Sequence, residues 1–392
     1  MFEHITIFDL SLIGITLIAT LWLVTFYRHR ISIVAKAVVA NAKIPIEGMP
    51  SVSVIVYADG NASALSRMLP QVLKQEYPTR FEVIVVNDGS DEDVKDVVNL
   101  LNYQYDNLYQ TFIPDDCRNV SRKKLALTIG IKAAHTDIVV LTTADSTILS
   151  NKWLALMSRH FINDETDIVI GNAMPDPRQD RAKGYRFRAF STLTDSVHFL
   201  SSAIVGRAYR GTGCNIAYRT RLFFNNKGFC SSTNFHHGDD DIFIANVATS
   251  SNTAVEITPE ALITTAVYNA KKEYRIEKLR RTFTARHLPA QGQRRFYGFS
   301  SAMLYCWLTA SASAIVYGWQ NCFLMSAIAI TGISLLTTLT ITWRRTSISL
   351  GSRPFLLTIP VFLLWQPIHN VIFKVISRLN TSQNFTWQSI TR

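Results

Sequence analysis

Apolar positions fall into two regimes along this chain: continuous runs near both ends, and short alternating segments between them. Ile5 to Tyr27 is almost wholly apolar, broken by Asp9 and a few hydroxyls, and is long enough to cross the roughly 30 Å hydrocarbon core of a bilayer. Toward the far end, Gly298–Gly318 and Cys322–Trp343 form two more such runs, joined by a turn at Trp319-Gln320-Asn321. A third segment, Pro354–Ile376, is interrupted by Pro360, Pro367 and His369; it spans, re-enters or lies in the interface.

In the middle, β-branched runs alternate with helical spacings. Ser51–Tyr57 predicts a strand, and Leu65, Met68, Leu69, Val72 and Leu73 give Ala62–Gln75 a helical period. Phe81–Val86 predicts a second strand, Asp91–Leu101 a second helix, Ser121–Ala134 a third helix and Asp137–Leu141 a third strand. Strand and helix alternating at this spacing is βαβ construction and predicts a parallel sheet. The third strand ends in Thr143-Ala144-Asp145, and a helix is expected from Asn151. A carboxylate at the C-terminal end of a buried strand sits where open α/β sheets bind ligands. There Asp145 either holds a divalent cation against a substrate phosphate or caps the next helix.

Composition narrows this picture. A net charge of +11 with 48% hydrophobic residues suits neither a disordered chain nor a simple soluble domain. Arg28-His29-Arg30 and Lys36 follow the first run, and Arg344-Arg345 follow the third, so the positive-inside rule puts those ends in the cytoplasm. No basic leader or small-residue cleavage site flanks the first run, so a retained anchor is expected rather than a signal peptide. The five cysteines show no CxxC spacing and predict neither a zinc site nor a disulfide framework. The expected organisation is an N-terminal anchor over residues 1–30, a linker over 31–50, a cytoplasmic α/β domain over 51–290, a membrane region over 298–376 and a polar tail over 377–392.

Several motifs then fall in order. They are Val85-Val86-Asn87-Asp88-Gly89-Ser90 at a strand end, Arg122-Lys123-Lys124-Leu125-Ala126-Leu127 opening a helix, Thr143-Ala144-Asp145, Gly211-Thr212-Gly213-Cys214-Asn215 and Gly238-Asp239-Asp240-Asp241. Together they resemble a family 2 glycosyltransferase of the membrane-bound, bacterial polysaccharide-making branch. The resemblance covers about Ser51 to His287 and implies the glycosyltransferase-A fold, a Rossmann-like domain here joined to one N-terminal and two to three C-terminal membrane helices. It also implies an inverting enzyme, a UDP-linked nucleotide-sugar donor, a lipid-linked or glycan acceptor, and a Mg or Mn ion. Membrane lipids and polysaccharide-synthesis proteins are expected as partners and nucleic acid is not. An inactive relative acting as a membrane scaffold is the alternative, because the pattern is incomplete.

The resemblance implies residue roles. Asp88 takes uridine, with Tyr57 and Asp59 on the same rim lining the base pocket. Lys123 meets the diphosphate or the base, although Arg122 and Thr128 stand where the family has glycine and asparagine. Asp145 is the metal ligand, while Thr143 replaces the first acid of the Asp-x-Asp pattern. Asn215 orients the donor sugar or the base loop. Three adjacent acids repel one another and raise at least one pKa, which suits a general base; that base is Asp240, or Asp239 if the register slips. Glu277-Lys278-Leu279-Arg280-Arg281 falls where membrane-bound relatives carry Gln-x-x-Arg-Trp, so Arg280 or Arg281 faces the leaving diphosphate. Gln291-Gly292-Gln293-Arg294 is the second choice for that motif. His236-His237 alone is poor grounds for zinc.

Overall fold

A computed structural model describes residues 6–89, 91–114, 117, 121–289, 291–356 and 358–379. Ser90 of the Asn87–Ser90 motif and the polar tail from residue 380 lie outside the described residues.

The chain forms two compact units, Met1–Lys36 with Gln291–Ile372, and Ala37–Ala290 with Phe373–Arg392. Helix α1, Ile7–Phe26, begins at Thr6, whose hydroxyl accepts from the Asp9 N–H while the Asp9 carboxylate accepts from the Thr6 N–H. That reciprocal cap satisfies two N–H groups the helix leaves open. The helix passes through a π turn at Tyr27–Ile31 into α2, Ser32–Asn41. The linker expected over residues 31–50 is therefore helical as far as Asn41.

The second unit is built on β1 (Val52–Ala58), α3 (Ala62–Leu73), β2 (Phe81–Asp88), α4 (Glu92–Asn102), β3 (Leu108–Ile113), α5 (Arg122–Ala133), β4 (Ile138–Thr143) and β5 (Ser146–Ile148). It continues through α6 (Trp153–Ser158), β6 (Ile168–Ile170), β7 (Ala173–Pro175), α7 (Tyr185–Ile204), β8 (Ile216–Arg219) and α8 (Thr220–Asn225). The remaining elements are α9 (Ile242–Val247), β9 (Thr253–Val255), β10 (Ile263–Thr265) and α10 (Ala270–Thr284). Seven strands form one sheet in the order β3-β2-β1-β4-β8-β6-β9. β3, β2, β1 and β4 run parallel, but β8 is antiparallel to both β4 and β6. The βαβ strands are parallel as expected, and β8 makes the sheet as a whole mixed. β5, β10 and β7 make a separate small sheet.

The sheet's apolar residues explain its burial. Val52, Val54 and Val56 of β1 and Val83 and Val85 of β2 are fully buried, packing with Leu65, Met68, Leu69 and Val72 of α3. Both faces of β1 are covered, which is why it reads as a continuous apolar run. The chain leaves β1 toward β2 on one side and returns to β4 on the other. The switch point, and hence the expected ligand crevice, lies at the C-terminal ends of β1 and β4.

Helices α11 (Gln291–Gly318), α12 (Cys322–Ser349) and α13 (Ile359–Leu379) complete the chain. With the helical stretch Ile7–Asn41 they make four described helices long and apolar enough to cross a membrane, the last despite Pro367 within it. Within the first unit Leu12 packs with Ala310, Ala314, Leu324 and Ile328. Asn321, in the turn before α12, donates to Asp9 at 3.2 Å. Gln291–Arg294 opens α11, where Gln293 accepts from Arg30 at 3.3 Å.

Candidate active site

The C-terminal rim of the sheet collects three carboxylates. Asp88 ends β2 and Gly89, at φ +85°, turns the chain away at once, a conformation glycine adopts without strain. The Tyr57 hydroxyl donates to Asp88 Oδ2 at 2.6 Å and the Arg122 guanidinium pairs with Oδ1. Burial, then the bond to Asp88, hold the Tyr57 phenol above its ordinary range, so it stays a donor. Asp59 follows β1. Burial pushes its carboxyl up, and repulsion from Asp145 and Asp88 adds to that.

Asp145 follows β4. β5 intervenes before α6 begins at Trp153, so Asp145 caps no helix. Its Oδ1 accepts from the Thr143 hydroxyl at 2.5 Å. The residue that replaces the family's first acid thus orients the second. Among the described residues no three His, Cys, Asp or Glu side chains form a ready metal site. The rim nevertheless fits a cation bound by one carboxylate and a ligand's phosphates. Asp145 supplies a hard oxygen, and the mutual repulsion recorded at Asp59 marks negative charge that a cation would relieve.

A second group of acids lies just before α9. Asp239, Asp240 and Asp241 are all buried, and each has a different partner. Lys123 on α5 reaches Asp239 Oδ2 at 2.6 Å. Burial pushes Asp239 up, but Lys123 and Arg280 outweigh it and hold this carboxyl well below the usual range. Asp241 accepts from the Ile242 N–H at 2.7 Å and caps α9; burial and its neighbour Asp240 push it up to about 6. Asp240 has longer contacts, 3.5 Å to Arg280 and 3.4 Å from the Gly213 N–H. A Cβ on Gly213, in the turn before β8, would stand 3.0 Å from Lys123 Nζ and 3.2 Å from Asp239 Oδ2, so a side chain here would crowd that ion pair. The neighbouring Cys214 thiol is pushed up to about 12 by burial and then by Asp145, which keeps it protonated.

Helix α10 closes the group. Arg280 donates to Glu277 at 2.9 Å, and Arg281 reaches Glu277 at 2.5 Å and Asp195 of α7 at 3.6 Å. Lys278 meets Asp195 at 3.0 Å. Burial pushes Glu277 and Asp195 up, but the surrounding cations dominate: Glu277 is held well below its ordinary value and Asp195 at about 2. His237 is pushed down to about 4 by burial and by Arg280, so it is neutral at physiological pH.

The structure brings Tyr57, Asp59, Asp88 and Asp145 to one rim, and Asp239, Asp240, Lys123 and Arg280 into one buried ion network. Three of the expected donor-binding residues have partners within the protein. Asn215 is fully buried, accepting from Trp153 Nε1 at 3.0 Å and donating to the carbonyls of Asn172 and Ala261 at 2.8 and 2.9 Å; its amide ties core segments together. Lys123 pairs with Asp239. Arg281 is committed to Glu277 and Asp195, leaving Arg280 as the arginine beside the acids. Sequence reasoning missed Asp195 and the pairing of Arg122 with Asp88, since these partners meet only through tertiary folding, and it named Glu277 without pairing it with Arg280 and Arg281 on the same helix. The signal in hand was the cluster Arg122-Lys123-Lys124 on the first turn of a helix, where cations are disfavoured.

Residues 51–234 match the sequence profile of Glycosyl transferase family 2. The Probable glycosyltransferase YdaM of Bacillus subtilis (strain 168) is 30% identical over 100 residues, which are 25% of this chain and 24% of that protein. The chain thus matches about a quarter of the length of that curated relative. A solved structure of the mannosyltransferase PcManGT from Pyrobaculum calidifontis, in complex with GDP-Man and Mn2+, superposes with a TM-score of 0.54 at 18% identity, over 92% of this chain and 99% of that one. At that identity the likeness is one of fold.

Proposed function

We propose that this chain is an inverting, membrane-anchored hexosyltransferase of glycosyltransferase family 2, a reading supported by the family profile matched over residues 51–234. It moves a sugar from a nucleotide-sugar donor, UDP-linked, to a hydroxyl of a lipid-linked or glycan acceptor at the cytoplasmic membrane face. The observation that carries this reading is the pairing of two unlike acid groups, a strand-end rim where Asp59 and Asp145 repel each other and a buried acid run in which one member is loosely held.

The donor's nucleoside lies at the rim against Asp88, whose position Tyr57 and Arg122 fix; Asp59 borders the same pocket. A divalent cation, Mg2+ or Mn2+, would be held by Asp145 with the donor's diphosphate, and when bound it supplies neutralising charge for the leaving group. Of the three buried acids, Asp239 is gripped by Lys123 and Asp241 by its helix cap. Asp240, with its longer contacts, keeps the capacity to accept a proton. The acceptor oxygen attacks the anomeric carbon as its proton passes to Asp240. The bond from that carbon to the diphosphate oxygen breaks in the same displacement, inverting the carbon. Arg280, already beside Asp240, adds positive charge where the diphosphate departs.

Basic residues at the ends of the first and third apolar runs put the domain in the cytoplasm by the positive-inside rule, where nucleotide sugars are made. The test is a panel of UDP- and GDP-sugars supplied to native membranes, with release of nucleoside diphosphate followed with and without chelator. One donor should be consumed in a chelator-sensitive manner. Binding without turnover across the panel would favour an inactive scaffold instead.

A further inference from the structure

The first turn of α5 breaks a local rule. Arg122, Lys123 and Lys124 stand at the positive end of the helix dipole, with no acid in that turn. Such a violation persists when tertiary contacts offset it, and these tend to be functional. Arg122 and Lys123 find carboxylates, Asp88 and Asp239. Lys124 does something different. It is only 4% exposed, and its ammonium lies 2.6 Å from the Ser232 carbonyl, 2.8 Å from the Ser232 hydroxyl, 3.1 Å from the Phe235 carbonyl and 2.7 Å from the His237 carbonyl. Ser121, immediately before the helix, donates to the His236 carbonyl at 2.7 Å.

All these acceptors belong to residues 232–237, which lead directly into Asp239–Asp241. The joint is Gly238, at φ +111°, where a Cβ would meet Ile242 Cδ1 at 2.8 Å. The segment has little regular structure of its own beyond the short turn Cys230–Ser232. A three-donor ammonium holding several of its carbonyls is therefore its anchor.

We infer that Lys124 is a positioning residue for the acceptor-activating carboxylates: it clamps residues 232–237 and so sets where Asp240 stands. This rests on the reading of Asp240 as general base. The clamp acts on the acid run and not on the rim, so its loss separates turnover from nucleotide binding. Misplacement of a reacting group by about 1 Å costs on the order of 100-fold in rate.

The test uses the full chain in native membranes. Lys124→Met should lower kcat by about 10- to 100-fold and leave UDP affinity within about twofold, the margin expected when the rim is untouched. Lys124→Ala should recover activity with propylammonium, which donates hydrogen bonds into the vacated cage, and not with tetramethylammonium, which cannot. Unchanged kcat in Lys124→Met overturns the inference. So does a parallel loss of kcat and UDP affinity without ammonium rescue, which would mark a general structural role. If Lys124→Met does not accumulate, the alanine rescue decides alone. Asp240→Asn, run alongside, separates the two readings. Normal turnover there removes the base assignment itself, whereas lost turnover there with normal turnover in Lys124→Met removes only the clamp.

Discussion

Asp145 and Thr143 show how one replaced residue changes a site without erasing it. The Thr143 hydroxyl donates to the very carboxylate expected to touch metal, so the position lost as a ligand is kept as an orienting group. Asp145→Ala should abolish metal-dependent UDP-sugar binding and leave the folded state intact, because a partly exposed strand-end acid adds little to the core; titration calorimetry and a thermal melt check both halves. Thr143→Asp should tighten Mn2+ binding through a second hard oxygen. Asp241 gives a pH prediction. Its carboxyl rises from 3.8 to about 6 on folding, so between those values the folded protein keeps a proton the unfolded chain has released. Stability then declines as pH rises through that window, and above it the charged Asp241 costs roughly 1–3 kcal/mol. Asp241→Asn should flatten this decline in melts from pH 4 to 7. Asp195, lowered to about 2, works in the opposite sense: its contribution is present above 3.8 and is lost as pH falls toward 2. The placement of Asp88 and Asp145 at strand ends was legible in the sequence because a strand end is a local pattern. The partners of Asn215 and the tie from Arg281 to Asp195 were not, because Trp153, Asn172, Ala261 and Asp195 come from distant parts of the chain.

Among the elements, the long apolar runs, the periodic helices and the parallel run of β1, β2 and β4 were legible, and the direction of β8 was not. β8 lies next to β4 in antiparallel register, pairing Val140 with Ala217, yet nothing in the alternation of Ile216–Arg219 records which way it runs. β5, β7 and β10 have three residues each, too short for a period to declare itself. Repulsion within the acid run bears on the helix-capping Asp241, whose carboxyl is pushed up by burial and by its neighbour Asp240. Helix α5 and the segment around Gly213 show why such elements matter: they bring lysine and backbone N–H to the acids. Gly213→Ala should press a methyl against Lys123 and Asp239, lowering turnover by about 10-fold, as for a small misplacement of reacting groups. UDP affinity should change less, and steady-state kinetics with a binding isotherm reads both.

At the scale of the molecule, apolar runs and charge placement prescribe a topology. Tags at Gln104 and near Trp343 should report cytoplasm and one near Gln320 the opposite side, in an accessibility assay on intact cells; a Gln104 tag outside the cytoplasm would separate the domain from its donor. The central claim is chemical, that Asp240 takes the acceptor's proton, and one comparison bears on it most directly. Turnover and UDP affinity should be measured for Asp239→Asn, Asp240→Asn and Asp241→Asn in the same membranes. The asparagine keeps size and most hydrogen bonds but cannot take a proton. Asp240→Asn should lose about 10² to 10⁴-fold in turnover with UDP affinity nearly unchanged, and the other two should lose less. Equal, mild losses at all three positions would contradict the account and leave the acid run as a capped, ion-paired structural feature.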